Sequence, residues 1–172
     1  MKFYKYKKMI DDGQYSDVHY TPKDLAYRVV NHYNPTGKVL EPCKGDGAFY
    51  THCAFTDWCE IQQGKDFFDY EEKVDWIITN PPYSIFAQFL EHSMELAKDV
   101  VFAPIKLDKF LSSKKRHRMY KHYGFAIKEL IRLPEKIEEP FPQTGFQYYA
   151  IHMSKGYEGP INYIDWNKEE IQ

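Results

Sequence analysis

Short apolar runs alternate along the chain with stretches in which apolar residues recur every three or four positions. The runs have the length of buried strands, and the wider spacing is typical of amphipathic helices. The pattern predicts strands at residues 38–42, 58–61, 74–79, 100–105, 125–133 and 146–153. It predicts helices at about residues 21–33, 48–53 and 84–97, and a further basic helix between 106 and 122.

The alternation of strands and helices predicts an α/β fold with a mainly parallel, twisted sheet covered by helices on both faces. No helix is predicted between the last two strands, so we expect an antiparallel strand at the sheet edge. Thr21 and Pro22 predict the start of the first helix, as N-cap and first helical residue. We expect residues 1–20 to be a partly disordered segment and residues 21–172 to be one domain.

Composition indicates a globular protein of 172 residues, with 43% hydrophobic and 28% charged residues. The three cysteines form no CxxC pair, which favours reduced thiols in a cytoplasmic protein. No apolar run reaches the length of a membrane span, so we expect no membrane partner.

The net charge of −2 does not by itself indicate a nucleic-acid-binding protein. Basic residues are nevertheless concentrated in one region, where they could contact phosphates without selecting a sequence. The candidates for this contact are Lys106, Lys109, Lys114, Lys115, Arg116 and Arg118. A solvated helix face explains the same cluster equally well.

The residues Asn80, Pro81, Pro82 and Tyr83 directly follow a predicted buried strand. Two successive prolines cannot donate to a sheet, so the strand must end in a stiff turn. The Asn80 side-chain oxygen and the Pro81 carbonyl could each accept one N–H of a planar NH2 group, while Tyr83 stacks on its ring. Such a turn would orient a poor nitrogen nucleophile without a metal or a covalent intermediate.

A second motif covers the end of the strand predicted at 38–42 and the turn after it, and contains Glu41, Pro42, Gly45, Asp46 and Gly47. Glycines at a strand end tolerate positive φ and allow a ligand to approach the backbone closely. The spacing is neither the GxGxxG dinucleotide motif nor a P-loop. The acids on either side suit a ligand with a cationic, amino-acid-like end, although an ordinary turn is the commoner explanation for such a motif alone.

Three further residues could complete a nucleoside site. Glu60 ends a predicted strand, where a carboxylate can accept both hydroxyls of a ribose. Asp66 could accept from the amino group of an adenine, and Phe67 could pack on its face. For Glu60 taken alone, a surface glutamate at a strand end is the more ordinary interpretation.

In this order, the motifs resemble those of S-adenosylmethionine-dependent amino methyltransferases, most of all DNA N6-adenine methyltransferases of the gamma arrangement. The resemblance covers about residues 19–153 and rests most specifically on Asn80-Pro81-Pro82-Tyr83. It implies a Rossmann-like class I methyltransferase fold, S-adenosylmethionine as cofactor, and methyl transfer to the N6 amine of adenine in DNA.

The resemblance also implies roles for individual residues. Its cofactor-binding positions correspond to Tyr20, Thr21, Pro22, Glu41, Pro42, Gly45, Asp46, Gly47, Glu60, Asp66, Phe67 and Asn80. Its catalytic positions correspond to Asn80, Pro81, Pro82 and Tyr83. A base in duplex DNA must be flipped out to reach such a site. Besides Tyr83, Phe141 or Phe146 is expected to stack on that base, although either could be a core residue.

Related DNA methyltransferases carry a separate target-recognition domain, and the residues after Met153 are too few to form one. Sequence specificity would then be low, or would come from a partner subunit or from the N-terminal segment and residues 106–122. The compact size resembles methyltransferases of phages and mobile elements. Two alternatives remain open: an RNA-base or protein-glutamine methyltransferase, and a non-catalytic nucleic-acid-binding module that retains the fold.

Overall fold

The structure is a computed structural model that describes residues 19–52, 54–139, 141–142 and 145–167. Most of the predicted segment 1–20 therefore lies outside the described residues. The strands are β1 (Val39–Glu41), β2 (Asp57–Trp58), β3 (Trp76–Thr79), β4 (Asp99–Ile105), β5 (Phe125–Arg132), β6 (Tyr149–Lys155) and β7 (Asn162–Asp165). The α-helices are α1 (Lys23–Tyr33), α2 (Phe86–Leu96), α3 (Asp108–Leu111) and α4 (Lys114–Tyr123).

The strands form one mixed sheet in the order β2-β1-β3-β4-β6-β5-β7. Strands β1 to β4 are mutually parallel, and Leu40 of β1 pairs with both Asp57 and Ile77. Parallel strands are covered on both faces, so their sequences are continuous apolar runs. The predicted α/β class with a mainly parallel sheet and helices on both faces is confirmed.

Neighbouring residues of the central strands point to opposite faces and build two cores. Ile78 and Val101 pack with Val29 of α1 on one face. Ile77 and Val100 pack with α2 and α4 on the other face. Side chains from both helix layers therefore hold β3 and β4 rigidly, which fixes the loops that follow these strands.

The sequence analysis predicted an antiparallel strand at the edge of the sheet, but the antiparallel strand lies inside the sheet. Strands β5 and β6 form the expected antiparallel pair, but β6 lies inside the sheet, between β4 and β5. The edge strand next to β5 is β7, which runs parallel to β5 and was not predicted. Its four residues are too few for a clear apolar pattern, and neighbouring Trp166 anchors it through a 3.0 Å bond to the Arg132 carbonyl.

Three local predictions were wrong. The helix predicted at 48–53 is a pair of turns over residues 48–52, and Cys53 lies outside the described residues. The strand predicted at 58–61 ends at Trp58: Glu60 instead forms an isolated antiparallel bridge with Lys65, and a 3-10 helix begins at Ile61. Thr21 does not cap α1: the helix begins at Lys23, and Pro22 occupies the N-cap position without a side-chain bond.

Within the described ranges, no helix is both long and apolar enough to cross a membrane.

Candidate active site at the carboxyl edge of the sheet

The two motif-bearing turns meet because β1 and β3 are parallel neighbours. Val39 pairs with Trp76 and Leu40 with Ile77, so both strands end at the same edge of the sheet. Glu41 ends β1, and Asn80 directly follows β3. The fold therefore brings the glycine turn and the Asn-Pro-Pro-Tyr turn together at the carboxyl ends of the strands, where ligands bind in α/β sheets.

Two hydrogen bonds orient the Asn80 side chain. Its Nδ2 donates to the His19 carbonyl oxygen at 2.8 Å and to Thr21 Oγ1 at 3.1 Å. A carbonyl can only accept, so the amide nitrogen must face His19 and the amide oxygen must point the other way.

The Asn80 amide oxygen is left as an acceptor without a donor. Its Oδ1 atom is buried and has no hydrogen-bond partner among the described residues. An unpaired buried acceptor costs roughly 1–3 kcal/mol, so such atoms are rare in folded proteins. This oxygen is therefore available to accept an N–H from a ligand.

The rest of the turn is stiff and anchored. Pro81 is buried and Pro82 is half-buried in extended geometry, with φ −65° and ψ 122°. Tyr83 is half-buried, and its hydroxyl donates to the Pro104 carbonyl oxygen at 2.8 Å. Because Pro104 lies in β4, this bond fixes the tyrosine ring at the carboxyl ends of the strands.

Glu41 is a carboxyl group buried at the same edge. Its side chain is fully buried, and Oε1 accepts from the Cys43 amide at 3.3 Å. Burial raises the pKa of Glu41 well above its ordinary value, and Thr79 and Cys43 only partly offset this effect. Its Oε2 atom makes no hydrogen bond of good geometry within the described part of the chain, although the buried Thr79 hydroxyl, which also lacks a partner there, lies close enough to lower the pKa of Glu41. A cationic ligand group would both pair with this oxygen and favour the ionised carboxylate.

The glycine turn is shaped for close approach. Gly45 has φ +55°, and a Cβ atom there would lie 3.3 Å from the Tyr20 ring. Its amide donates to Glu60 Oε2 at 2.7 Å, which ties the turn to the end of the neighbouring strand. Gly47 also has positive φ, and the exposed Asp46 accepts from the Ala48 amide at 3.2 Å. The glycine backbone and the carboxylates of Asp46 and Glu60 therefore lie together after β1.

The remaining predicted cofactor residues divide into two groups. Glu60 and Asp66 lie at loop starts, where each accepts a backbone amide, from Gln62 and Phe68 respectively. Phe67 is only 3% exposed, and its ring packs 4.6 Å from Phe89. Glu60 is buried and both its carboxylate oxygens accept backbone amides, Asp66 is half-buried, and the Phe67 ring belongs to the core.

The two candidate stacking residues have opposite environments. Phe141 is 2% exposed and packs edge-on against Tyr148 at 4.9 Å. Phe146 is 60% exposed, and the Lys106 ammonium lies 3.4 Å from its ring centroid. The sequence analysis did not single out His19, whose ring centroid lies 6.0 Å from that of Tyr83. Its position directly before Tyr20 and Thr21 was the only indication in the sequence.

The predicted phosphate-binding residues also differ in how exposed they are. Lys114, Lys115 and Arg118 lie on the exposed face of α4, whereas Lys106 and Lys109 are half-buried. Arg116 points inward, and its guanidinium donates to Ser112 Oγ at 3.0 Å and to the Asp108 carbonyl at 3.4 Å. Arg116 thus helps to hold α3 against α4.

Comparison with known proteins supports the fold. No family model matches the chain, and no curated protein matches it in sequence. Among solved structures, it is similar to a protein described as a modification subunit of a type I restriction enzyme from Vibrio vulnificus. The two are 18% identical with a TM-score of 0.58, over 95% of this chain and 50% of that one.

Two further structures are similar at comparable levels. The M protein of the type I restriction enzyme EcoKI has 14% identity and a TM-score of 0.60, over 83% of this chain and 45% of that one. A protein described as a class I S-adenosylmethionine-dependent methyltransferase from Listeria monocytogenes has 13% identity and a TM-score of 0.59. That match covers 84% of this chain and 65% of the other.

The chain spans about half the length of the two restriction-enzyme subunits. At these identities the similarity shows the fold alone. The chain has the Rossmann-like fold of class I methyltransferases.

Proposed function

We propose that this protein is an S-adenosylmethionine-dependent methyltransferase that acts on the exocyclic N6 amine of adenine in DNA. The observation that carries the proposal is the Asn80 amide: its nitrogen makes two hydrogen bonds, while its buried oxygen has no donor among the described residues. An acceptor kept unpaired at the carboxyl edge suits a substrate that brings its own N–H group.

The chemistry follows from what this turn offers. An exocyclic amine is a poor nucleophile, because its lone pair is delocalised into the adjoining ring. Asn80 Oδ1 and the Pro81 carbonyl each accept one N–H, which favours a more tetrahedral nitrogen with a directed lone pair. Tyr83 packs against the planar base, and its bond to Pro104 keeps the ring in place. Catalysis is then mainly orientation and preorganised polarity.

The residues at the edge fit the implied cofactor. Glu41 Oε2 has no hydrogen-bond partner among the described residues and suits an ammonium group, and the absent side chain at Gly45 lets the Tyr20 ring lie close to the backbone of the turn. Glu60 would hold the ribose hydroxyls, and Asp66 the adenine amino group. When bound, S-adenosylmethionine supplies an electrophilic methyl group on a positively charged sulfur.

A nucleic-acid acceptor is favoured by the surface beside the edge. Lys114, Lys115 and Arg118 are exposed and near one another on α4. Lys106 follows β4 directly and lies over the exposed ring of Phe146. We assign stacking on the flipped base to Tyr83 and Phe146 rather than to the buried Phe141. A separate specificity subunit is part of this proposal.

The acceptor can be identified directly. The protein is incubated with isotopically labelled S-adenosylmethionine and, in separate reactions, with DNA, RNA and a protein mixture. Digestion and mass spectrometry of the products should show label in N6-methyladenine from DNA. Label found only in RNA nucleosides or in methylglutamine would show that the methyl acceptor is RNA or protein, while the methyl-transfer reaction itself would stand. No transfer together with no cofactor binding in calorimetry would favour a non-catalytic module.

The exposed basic face of α4 provides a second test. Replacing Lys114, Lys115 and Arg118 by alanine should weaken DNA binding about tenfold or more at low salt, because up to three phosphate contacts are lost. The dependence of affinity on salt should also become shallower. The matched control replaces Lys98, Lys128 and Lys155, which are exposed near the opposite edge of the sheet. An equal loss in both triple variants would indicate a general charge effect and no binding face on α4.

A further inference from the structure

Thr21 has an unusual place in the fold. It lies just before α1 but does not cap the helix, and it is only 4% exposed. Threonine before a helix ordinarily accepts from a backbone amide in the first turn. Here its hydroxyl accepts from the Asn80 side chain, 59 residues away in the sequence.

This contact bears on the direction of the Asn80 amide. The two ends of a primary amide are nearly the same size, so packing alone hardly distinguishes its oxygen from its nitrogen. The His19 carbonyl holds one N–H and Thr21 Oγ1 holds the second. With both N–H groups engaged, the amide plane is set and Oδ1 has one direction.

We propose that Thr21 is a positioning residue, whose hydroxyl keeps the Asn80 oxygen directed at the acceptor amine. This inference rests on the proposed function of the Asn-Pro-Pro-Tyr turn. It differs from the role in cofactor binding that the family resemblance implies for Thr21. In the variant that lacks the hydroxyl, one bond to His19 remains and the amide can tilt about its terminal torsion.

Two substitutions separate these roles. Thr21→Val keeps the shape of the side chain but removes the acceptor, and Thr21→Ser keeps the hydroxyl. At saturating cofactor and DNA, Thr21→Val should lower kcat about tenfold, the effect of one misdirected hydrogen bond in an oriented site. The dissociation constant for S-adenosylmethionine should stay within about twofold, because Glu41 and the glycine turn are unchanged. Thr21→Ser should restore most of kcat.

The opposite result would overturn the proposal. If Thr21→Val weakens cofactor binding while kcat at saturation is unchanged, Thr21 is a cofactor contact. Thermal unfolding establishes that each variant is folded, and Thr21→Ala replaces Thr21→Val if the valine variant is not.

A measurement independent of activity separates failure of this inference from failure of the proposed function. The side-chain amide protons of Asn80 are assigned by NMR from the signals that Asn80→Ala lacks. Their exchange with water should be slow in the wild type and in Thr21→Ser, and faster in Thr21→Val. Equal exchange in all three proteins, or fast exchange in the wild type, would refute the positioning role even if methyl transfer is observed.

Discussion

The protein buries polar groups in two regions, and the regions differ in how their buried charged and polar groups are paired. At the carboxyl edge, Glu41 Oε2 and Asn80 Oδ1 are buried without partners among the residues that the structure describes. Near the amino ends of the parallel strands, here called the amino edge, His152 and Asp99 form a hydrogen bond of 2.7 Å on the face covered by α1. Both regions remove polar atoms from water. The second pairs its ionisable groups with each other, although the Tyr33 hydroxyl beside His152 also lacks a hydrogen-bond partner among the described residues.

The cluster near the amino edge is a structural network. His152 is 3% exposed and stacks on Trp76 with ring centroids 5.1 Å apart. Burial alone would raise the pKa of Asp99, but hydrogen bonds from His152 and Ser154 outweigh it and hold the pKa below its usual value. Nearby, Glu129 accepts from both His32 and Asn162 at 2.7 Å.

The difference shows how a ligand site can be distinguished from a buried polar network. A group buried for stability needs internal partners, because an unpaired polar atom in the interior costs free energy. A group buried for binding must leave that partner to the ligand and so lowers the stability of the free protein. Variants in the two regions should therefore affect function and stability in opposite proportions.

The largest effect is expected at the carboxyl edge, for Asn80→Ala. Methyl transfer should fall by roughly 10²-fold or more, because the acceptor that orients the amine is lost. Cofactor affinity should change little, and stability should not fall greatly, since an unpaired acceptor is also removed. Single-turnover rates, calorimetry and urea unfolding measure the three quantities. If stability collapses while cofactor binding disappears, Asn80 belongs with the structural network and the contrast fails.

A smaller loss of function is expected for Glu41→Gln. Removing the charge should weaken S-adenosylmethionine binding roughly 10- to 100-fold, as expected for a hydrogen bond to a charged group. Because its folded pKa is raised, Glu41 contributes stability below its unfolded pKa of about 4.3, and this is lost as pH rises through the folded pKa. The glutamine variant should therefore be more stable than the wild type at pH 7 and not below about pH 4.

Urea unfolding between pH 4 and 8 measures this difference. Cofactor titrations in buffers of different ionisation enthalpy give a second check, since binding should release a proton from Glu41. A glutamine variant that binds cofactor normally and unfolds more easily at pH 7 would contradict the assignment.

The smallest effect is expected at the amino edge, for Asp99→Asn. Loss of the charged bond to His152 should lower the free energy of unfolding by about 1 kcal/mol at pH 7, a value reduced by partial exposure to water. Because the folded pKa of Asp99 is lowered, its contribution exists above the unfolded pKa of about 3.9 and is lost as pH falls through the folded value. Cofactor binding should be unchanged. A loss of binding without loss of stability would show that the two regions are not separate in function.

Pattern and chemistry predicted much of the architecture. The strand at 74–79 and the helix at 84–97 were found close to their observed bounds, because their apolar spacing is long and regular. The turns at 48–52 and the strand β7 were missed, because short elements carry too few residues for a period to appear. The roles of individual residues at the edge stay predictions until cofactor and acceptor are tested.

By itself, the sequence determined the fold class and the positions of the glycine turn and the Asn-Pro-Pro-Tyr turn, since those depend on local spacing and backbone geometry. Only the tertiary structure decided which atoms at those turns lack partners. Thr21 reads as a helix cap in the sequence, yet its hydroxyl holds Asn80, because parallel pairing of β1 and β3 places the start of α1 beside the end of β3. Contacts between residues far apart in the chain depend on packing, which no local pattern encodes.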